Sequence, residues 1–200
     1  MRPSEWARLE ARPAIWEWRA FWSSPVAAPP LHEAVEGPAA CERGWLAERY
    51  LVFDAHEDDI KLRDAHLHVR QLIERYDPFQ AYRTRRSIRF PLATHELLEI
   101  FPRLGESDRV FSGMSGLLSA LADHGYRPRC YDVRKVRYQR KVRGVELECA
   151  KLEVAGRRFW SVAVAGPDLE RVASAAADLP DDFTVLGGYA RLLAQIDGAA

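Results

Sequence analysis

Basic side chains recur at every second position in several runs of this chain: Lys61 and Arg63 in DIKLRD, Arg83, Arg85 and Arg89 in RTRRSIRF, and Lys135 and Arg137 in RKVRY. Glu146 and Glu148 in VELECA keep the same spacing with acid in place of base. Successive side chains of an extended chain point to opposite faces, so each set shares one face of a strand. Guanidinium forks make bidentate hydrogen bonds to phosphate oxygens, and lysine adds a compact point charge. Turned into a closed barrel, these faces would line a cationic tunnel with a few carboxylates, suited to a polyanion such as a chain of phosphates. Turned to water, they would form an ordinary ionic sheet surface, cross-bridged to Glu48, Asp58 or Glu153. The spacing accommodates both.

The elements that must position these faces are mostly strands. An aromatic-rich run at 13–22 is followed by a connection marked by Pro25, Pro29, Pro30 and Pro38. Further strands are predicted at 45–53, 58–63, 67–74 and 82–90. Beyond Pro91 the apolar spacing becomes helical, with Leu97, Leu98, Ile100, Phe101 and Leu104 on one stripe, and a second helix runs from Ser112 to Gly125. Three long strands follow at 128–142, 145–155 and 157–165, with Arg143-Gly144 and Ala155-Gly156 as tight turns. Asp168 opens a helix that Pro180 stops, and GGYARLLAQI reads as a short helix packed on the outside. The expected fold is α+β: an eight-stranded antiparallel β-barrel with flanking helices. Residues 1–200 are expected to form one domain, with a helical insertion at about 94–125 and C-terminal helices at about 167–197. Eight strands close around an interior wide enough for side chains or one slender ligand. Ile60, Leu62, Val133, Val136 and Leu147 are expected to pack outward under the helices.

The 29 basic and 29 acidic side chains cancel, so no global field marks a polybasic nucleic-acid or membrane-surface protein, and any anion site must come from local clustering. Three cysteines without a CxxC pair argue against a disulfide framework and a zinc ribbon, which suits a cytoplasmic setting. No run of about eighteen apolar residues occurs, so no membrane span is expected.

With these strands in this order, the chain resembles the CYTH superfamily, the triphosphate tunnel metalloenzymes. The likeness rests on the Lys61–Arg63 and Lys135–Arg137 runs, the Glu146–Glu148 run and the ending SVAVAGPDLERV. The family's ExExK signature corresponds to Ile15-Trp16-Glu17-Trp18-Arg19, where isoleucine replaces the first glutamate. Ala165 stands where a late-strand carboxylate is expected. The resemblance implies a triphosphate or polyphosphate compound bound inside the barrel. Arg19, Lys61, Arg63, Arg70, Arg85, Lys135 and Arg137 would hold phosphate, and Glu17, Glu146 and Glu148 would hold Mg²⁺ or Mn²⁺ for hydrolysis. With Ile15 and Ala165 in place of two ligands, the alternative is a non-catalytic scaffold that binds a phosphorylated ligand or a protein partner.

Three other features bear on function. Asp64-Ala65-His66-Leu67-His68 has the spacing of a first-strand zinc motif in amidohydrolase barrels, although such barrels need repeated strand–helix units that this chain lacks. The six tryptophans could stack on bases, but Trp6, Trp16, Trp18 and Trp22 crowd the N-terminal region, which fits a hydrophobic plug or a homodimer contact better. Cys149 follows an acidic strand and has no evident base nearby, which argues against a catalytic thiol.

Overall fold

The computed structural model describes residues 13–24, 41–54 and 56–197. The proline-marked connection at 25–40 and Trp6 lie outside them. In chain order the elements are β1 (Ile15–Trp22), β2 (Cys41–Phe53), β3 (His56–Arg63), β4 (His66–Tyr76), β5 (Phe79–Arg89), β6 (Leu92–Ala93), α1 (Thr94–Leu97), β7 (Val110–Phe111), α2 (Met114–Asp123), β8 (Arg129–Val142), β9 (Val145–Val154) and β10 (Arg157–Gly166). The chain ends with α3 (Leu169–Ala176), β11 (Val185–Leu186) and α4 (Tyr189–Asp197). Eight strands pair antiparallel in the order β1-β5-β4-β3-β2-β8-β9-β10. The barrel closes where β10 returns to β1, from Trp16 opposite Gly166 to Trp22 opposite Trp160.

Tight turns fix the register of the long hairpins. Arg143-Gly144 and Ala155-Gly156 hold positive φ at both positions, the backbone of a two-residue turn whose twist matches the strands it joins. Asp64-Ala65 adopts the same conformation, at φ 51° and 58°, without glycine.

Alternation sends every second apolar residue outward, and two helical layers cover them. Leu51, Ile60, Leu67 and Val69 pack under Leu97, Phe101, Leu117 and Leu121 of the insertion. The insertion is more broken than its apolar stripe suggests. α1 ends at Leu97, and Pro102 begins a separate 3₁₀ turn to Leu104, because proline cannot extend the preceding helix. On the other side Trp18, Trp22, Val162 and Val164 pack against Val172 and Ala176 of α3. Asp168 caps α3 as its sequence predicts, its Oδ1 accepting from the Arg171 amide at 3.2 Å, an interaction worth about 1 kcal/mol. Trp16, Trp18, Trp22 and Cys149 therefore belong to this outer apolar layer.

The final helix departs from expectation. Phe21, Tyr50, Tyr131, Leu152 and Phe159 point inward and form an apolar layer across one end of the barrel, and Tyr189, Leu192, Leu193 and Ile196 of α4 complete it. α4 therefore plugs the barrel instead of lying on its outside. β11 directs it there. β5 pairs with β1 only at Ile15–Glu17, and β11 takes the freed edge further along, with Phe21 opposite Val185. Gly187-Gly188 then turns the chain inward, with the Gly188 amide donating to Gln80 Oε1 at 2.9 Å. A Cβ at Gly188 would lie 2.6 Å from the Tyr82 hydroxyl, so only glycine fits that close pass. Val133, expected outward, also joins the plug, because it shares the parity of Lys135. Ile60, Leu62 and Leu147 pack outward as expected.

Candidate functional site: a blind ionic cavity

With one end plugged, the remaining interior is a cavity of about 310 Å³ lined by side chains of the barrel strands and Tyr189. β1 supplies Glu17 and Arg19, β3 supplies Asp59, Lys61 and Arg63, and β4 supplies His68 and Arg70. β8 adds Lys135, Arg137 and Gln139, and β9 adds Glu146 and Glu148. Six predicted phosphate ligands are thus brought together: Arg19, Lys61, Arg63, Arg70, Lys135 and Arg137. So are Glu17, Glu146 and Glu148. The seventh basic residue, Arg85, lies in β5, and its side chain is outside the described residues.

The run around Arg85 does not present one basic face. Thr84 sits opposite Arg70 and Arg86 opposite Val69, so a bulge at Arg85 reverses the alternation. Arg83 pairs across to Gln71 on the outer face, whereas Arg89 pairs across to His66 on the inner one.

The cavity is built in depth. At its floor Glu48, its side chain fully buried, accepts from Tyr50 Oη at 2.9 Å and lies 2.8 Å from Lys135 Nζ. Arg63 Nη1 donates to its other oxygen at 3.3 Å, and Lys61 Nζ lies 3.7 Å away. Burial pushes the Glu48 carboxyl up, but Lys61, Lys135 and the Tyr50 hydroxyl outweigh it and hold its pKa at about 2. Tyr189 closes the floor, stacked on Tyr50 at 5.0 Å with Lys135 Nζ 4.4 Å from its ring centre. Burial lowers the pKa of Lys61 and raises that of Tyr189.

A second cluster centres on Arg19. Its Nε donates to Glu17 Oε1 at 3.0 Å and its Nη1 to Glu148 Oε1 at 2.9 Å. Arg70 reaches Glu17 Oε2 at 3.1 Å and Asp59 Oδ2 at 3.4 Å. Arg137 donates to Glu148 Oε2 at 3.3 Å, and its buried Nε has no partner among the described residues. Burial opposes ionisation of Glu17, yet Arg19 and Arg70 hold its pKa at about 2. Glu148 is likewise held low by Arg19, Lys135 and Arg137 against its burial.

Among the described residues this gives six basic side chains against five carboxylates, counting Glu48. The interior is therefore a nearly balanced ion-pair lattice, less cationic than the strand faces suggest. Exposure grades along it, from 2% for the Lys135 side chain to 26% for Arg63 and Arg70.

The CYTH resemblance implies a divalent cation on Glu17, Glu146 and Glu148. Arg19 stands between Glu17 and Glu148, and Glu146 and Glu148 both accept from Gln139 Nε2, at 2.9 and 3.2 Å. A Mg²⁺ or Mn²⁺ shell needs oxygens converging on one point, and a guanidinium between two of three carboxylates does not fit it. No group of three or more His, Cys, Asp or Glu side chains able to hold a metal forms among the described residues. The Asp64, His66 and His68 spacing does not assemble one either. The Asp64 carboxylate is 85% exposed in its turn, and His66 Nδ1 lies 2.7 Å from the Asp64 carbonyl oxygen. Ile15 and Ala165, the two positions expected to carry carboxylates, do line the cavity.

Several lining residues were not anticipated. Asp59 and Gln139 lie two residues from Lys61 and Arg137, so extending the period-two pattern by one step reaches them. Glu48 and Tyr50 share an inward face by the same rule, and Glu48, expected to bridge these cations only on a face turned to water, pairs with Lys61, Arg63 and Lys135 inside the barrel.

No protein-family model matches the chain, and no curated protein matches it in sequence. Solved structures do resemble it. A candidate adenylate cyclase from Bacillus halodurans superposes with a TM-score of 0.50 at 11% identity, over 86% of this chain and 93% of that one. A conserved hypothetical protein from Pyrococcus furiosus gives 0.49 at 11% identity over 88% and 99% of the two chains. A protein from Pyrococcus horikoshii gives 0.44 at 13% identity over 81% and 86%. The Bacillus halodurans likeness is one of fold: both chains share the barrel architecture. No helix among the described residues is long and apolar enough to cross a membrane.

Proposed function

We propose that the cavity binds the phosphate chain of a small triphosphate or short polyphosphate compound. One observation carries this: cationic side chains from β1, β3, β4 and β8 converge on a single blind cavity. Its volume of about 310 Å³ lies at the small end of the range of small-molecule sites. The plug supports a terminal chain inserted end-on from the mouth and disfavours a long polymer threaded through. The carboxylates already hold the guanidinium groups in place, so little side-chain ordering is left for the ligand to impose. On binding, phosphate oxygens replace carboxylates as partners of Arg63, Arg70 and Arg137, the more exposed cations, and meet the unpaired Arg137 Nε. The adenylate cyclase name of the Bacillus halodurans protein is compatible with a phosphate-bearing ligand.

Metal-assisted hydrolysis would require Glu17 and Glu148 to leave Arg19 first, so binding is proposed without a metal step. Isothermal titration of inorganic triphosphate into the protein, and into Arg137→Glu, tests this. Wild type should bind with or without Mg²⁺. The variant should lose at least about 100-fold in affinity with an unchanged circular dichroism spectrum, since truncating one partner of a buried charge pair costs several kcal/mol. Equal affinity in both proteins would sink the proposal.

A further inference from the structure

Among the described residues four carboxylates are buried in the ionic interior, and three of them have both oxygens engaged. Glu17 accepts from Arg19 on Oε1 and from Arg70 on Oε2. Glu148 accepts from Arg19 on one oxygen and from Arg137 and Gln139 on the other. Glu48 accepts from Arg63 on Oε1 and from Tyr50 on Oε2. Asp59 is the exception. It is 5% exposed and lines the cavity, and its Oδ2 meets Arg70 at 3.4 Å and Lys61 at 3.6 Å. Its Oδ1 has no hydrogen-bond partner among the described residues. The Tyr82 hydroxyl, which lines the same cavity, is committed to Gln80 Oε1 at 3.1 Å. A bare carboxylate oxygen in an anion cavity repels any oxyanion that brings no proton, and so discriminates between anions of one shape.

We infer that Asp59 selects a phosphate end that still carries a proton, its Oδ1 accepting a hydrogen bond from the P–OH group. The inference rests on the phosphate reading of the cavity and adds a specificity-determining residue to it. Two buried atoms in this cavity lack partners among the described residues: Arg137 Nε, a donor, and Asp59 Oδ1, an acceptor. A monoprotonated phosphate answers both, because its charged oxygens accept and its hydroxyl donates. Sulfate has the same size and tetrahedral shape but holds no proton near neutrality, so it sets an oxygen against the carboxylate. A buried acceptor facing another acceptor loses its hydrogen bond and its solvation together. Phosphate esters give up their second proton at about pH 6, so the P–OH group is present on the acid side of neutrality.

The test is displacement of bound inorganic triphosphate by inorganic phosphate and by sulfate at about pH 5.5, below the second phosphate pKa, on wild type, Asp59→Asn and Glu146→Gln. At that pH phosphate is largely a monoanion and sulfate a dianion, so attraction to the cations alone ranks sulfate first. Wild type should instead rank phosphate first by about tenfold or more, the worth of a hydrogen bond to a charged group. Asparagine can turn its amide N–H toward the ligand, so Asp59→Asn should lose that preference or reverse it. The variant keeps its buried cations paired, because Arg70 retains Glu17 at 3.1 Å and Lys61 retains Glu48 at 3.7 Å. Glu146→Gln removes a charge from the same cavity and reports the effect of net charge: it should strengthen both ions together and leave phosphate ahead. Sulfate equal to or ahead of phosphate on wild type, a preference that survives Asp59→Asn, or one lost equally in Glu146→Gln overturns the role of Asp59 and leaves the phosphate reading standing. Failure of both ions to displace triphosphate does the same. Failure of triphosphate itself to bind wild type overturns the reading of the cavity as well.

Discussion

Replacing Glu48 with glutamine should destabilise the protein and tighten its grip on anions at the same time. The Lys135 side chain is 2% exposed, and its ammonium lies 2.8 Å from Glu48 and 3.4 Å from the Tyr189 hydroxyl. Among the described residues no other carboxylate lies within ion-pair distance of it. Glutamine keeps the size of the side chain and removes the charge, leaving a buried ammonium without a counterion, which costs about 3–5 kcal/mol. The titration of Glu48 gives a second route. Its carboxyl is held at about 2 against an ordinary 4.5, and a depression of that size corresponds to about 3 kcal/mol of folding stability. Lys61 retains Asp59 at 3.6 Å, which keeps the loss towards the lower figure. Urea unfolding at pH 7, followed by circular dichroism, should show a drop of about 3 kcal/mol with an unchanged m value. Calorimetric titration should show inorganic triphosphate binding more tightly, because Lys135 and Arg63 lose their Glu48 partner and are released for it. A stability loss below about 1 kcal/mol, or weaker triphosphate binding in a folded variant, would refute the coupling of Glu48 to the floor cations.

Other consequences are open to simpler tests. Glu17 and Glu48 both titrate at about 2 in the folded state. Their contribution is complete above the unfolded value near 4.5 and disappears as the pH falls to about 2, so a melting-temperature series should decline steeply across that window. Tyr189→Ala removes a ring stacked on Tyr50 and edge-on to Phe21 at 5.3 Å. Denaturant unfolding should register a loss of about 3–5 kcal/mol, together with weaker triphosphate binding as the floor opens; a loss under about 1 kcal/mol would mean that α4 does not seal the barrel. Asp168→Ala should cost only about 1 kcal/mol and leave anion binding untouched, since α3 lies on the outer face.

Much of the barrel was legible in the sequence because strand alternation is a local rule. Lys61, Arg63, Lys135, Arg137, Glu146 and Glu148 reach the interior by parity alone, and the turns at Arg143-Gly144 and Ala155-Gly156 mark themselves. Three things were not legible. A bulge leaves no periodic trace, so Arg83 and Arg89 share a face on paper and occupy opposite faces in β5. An amphipathic stripe does not say which surface it meets: Tyr189, Leu192 and Ile196 suit the inside of a barrel end as well as its outside, and the placement depends on β11 and a two-glycine turn too short to read. Parity also places a charged side chain without naming its partner. Arg19 resembles a phosphate ligand in sequence, but in the fold it is the clamp between Glu17 and Glu148, a relation between β1 and β9 that only closure creates.

The most direct test of phosphate binding in the ionic cavity is the melting temperature in EDTA with and without inorganic triphosphate. A ligand at 100 times its dissociation constant adds about 2.7 kcal/mol to the folded state, which for a chain of this size is a rise of roughly 5–10 °C. Such a rise with metal removed is the predicted result. An unchanged melting temperature in EDTA and in Mg²⁺ alike would contradict it and leave the cavity as a structural ion-pair lattice.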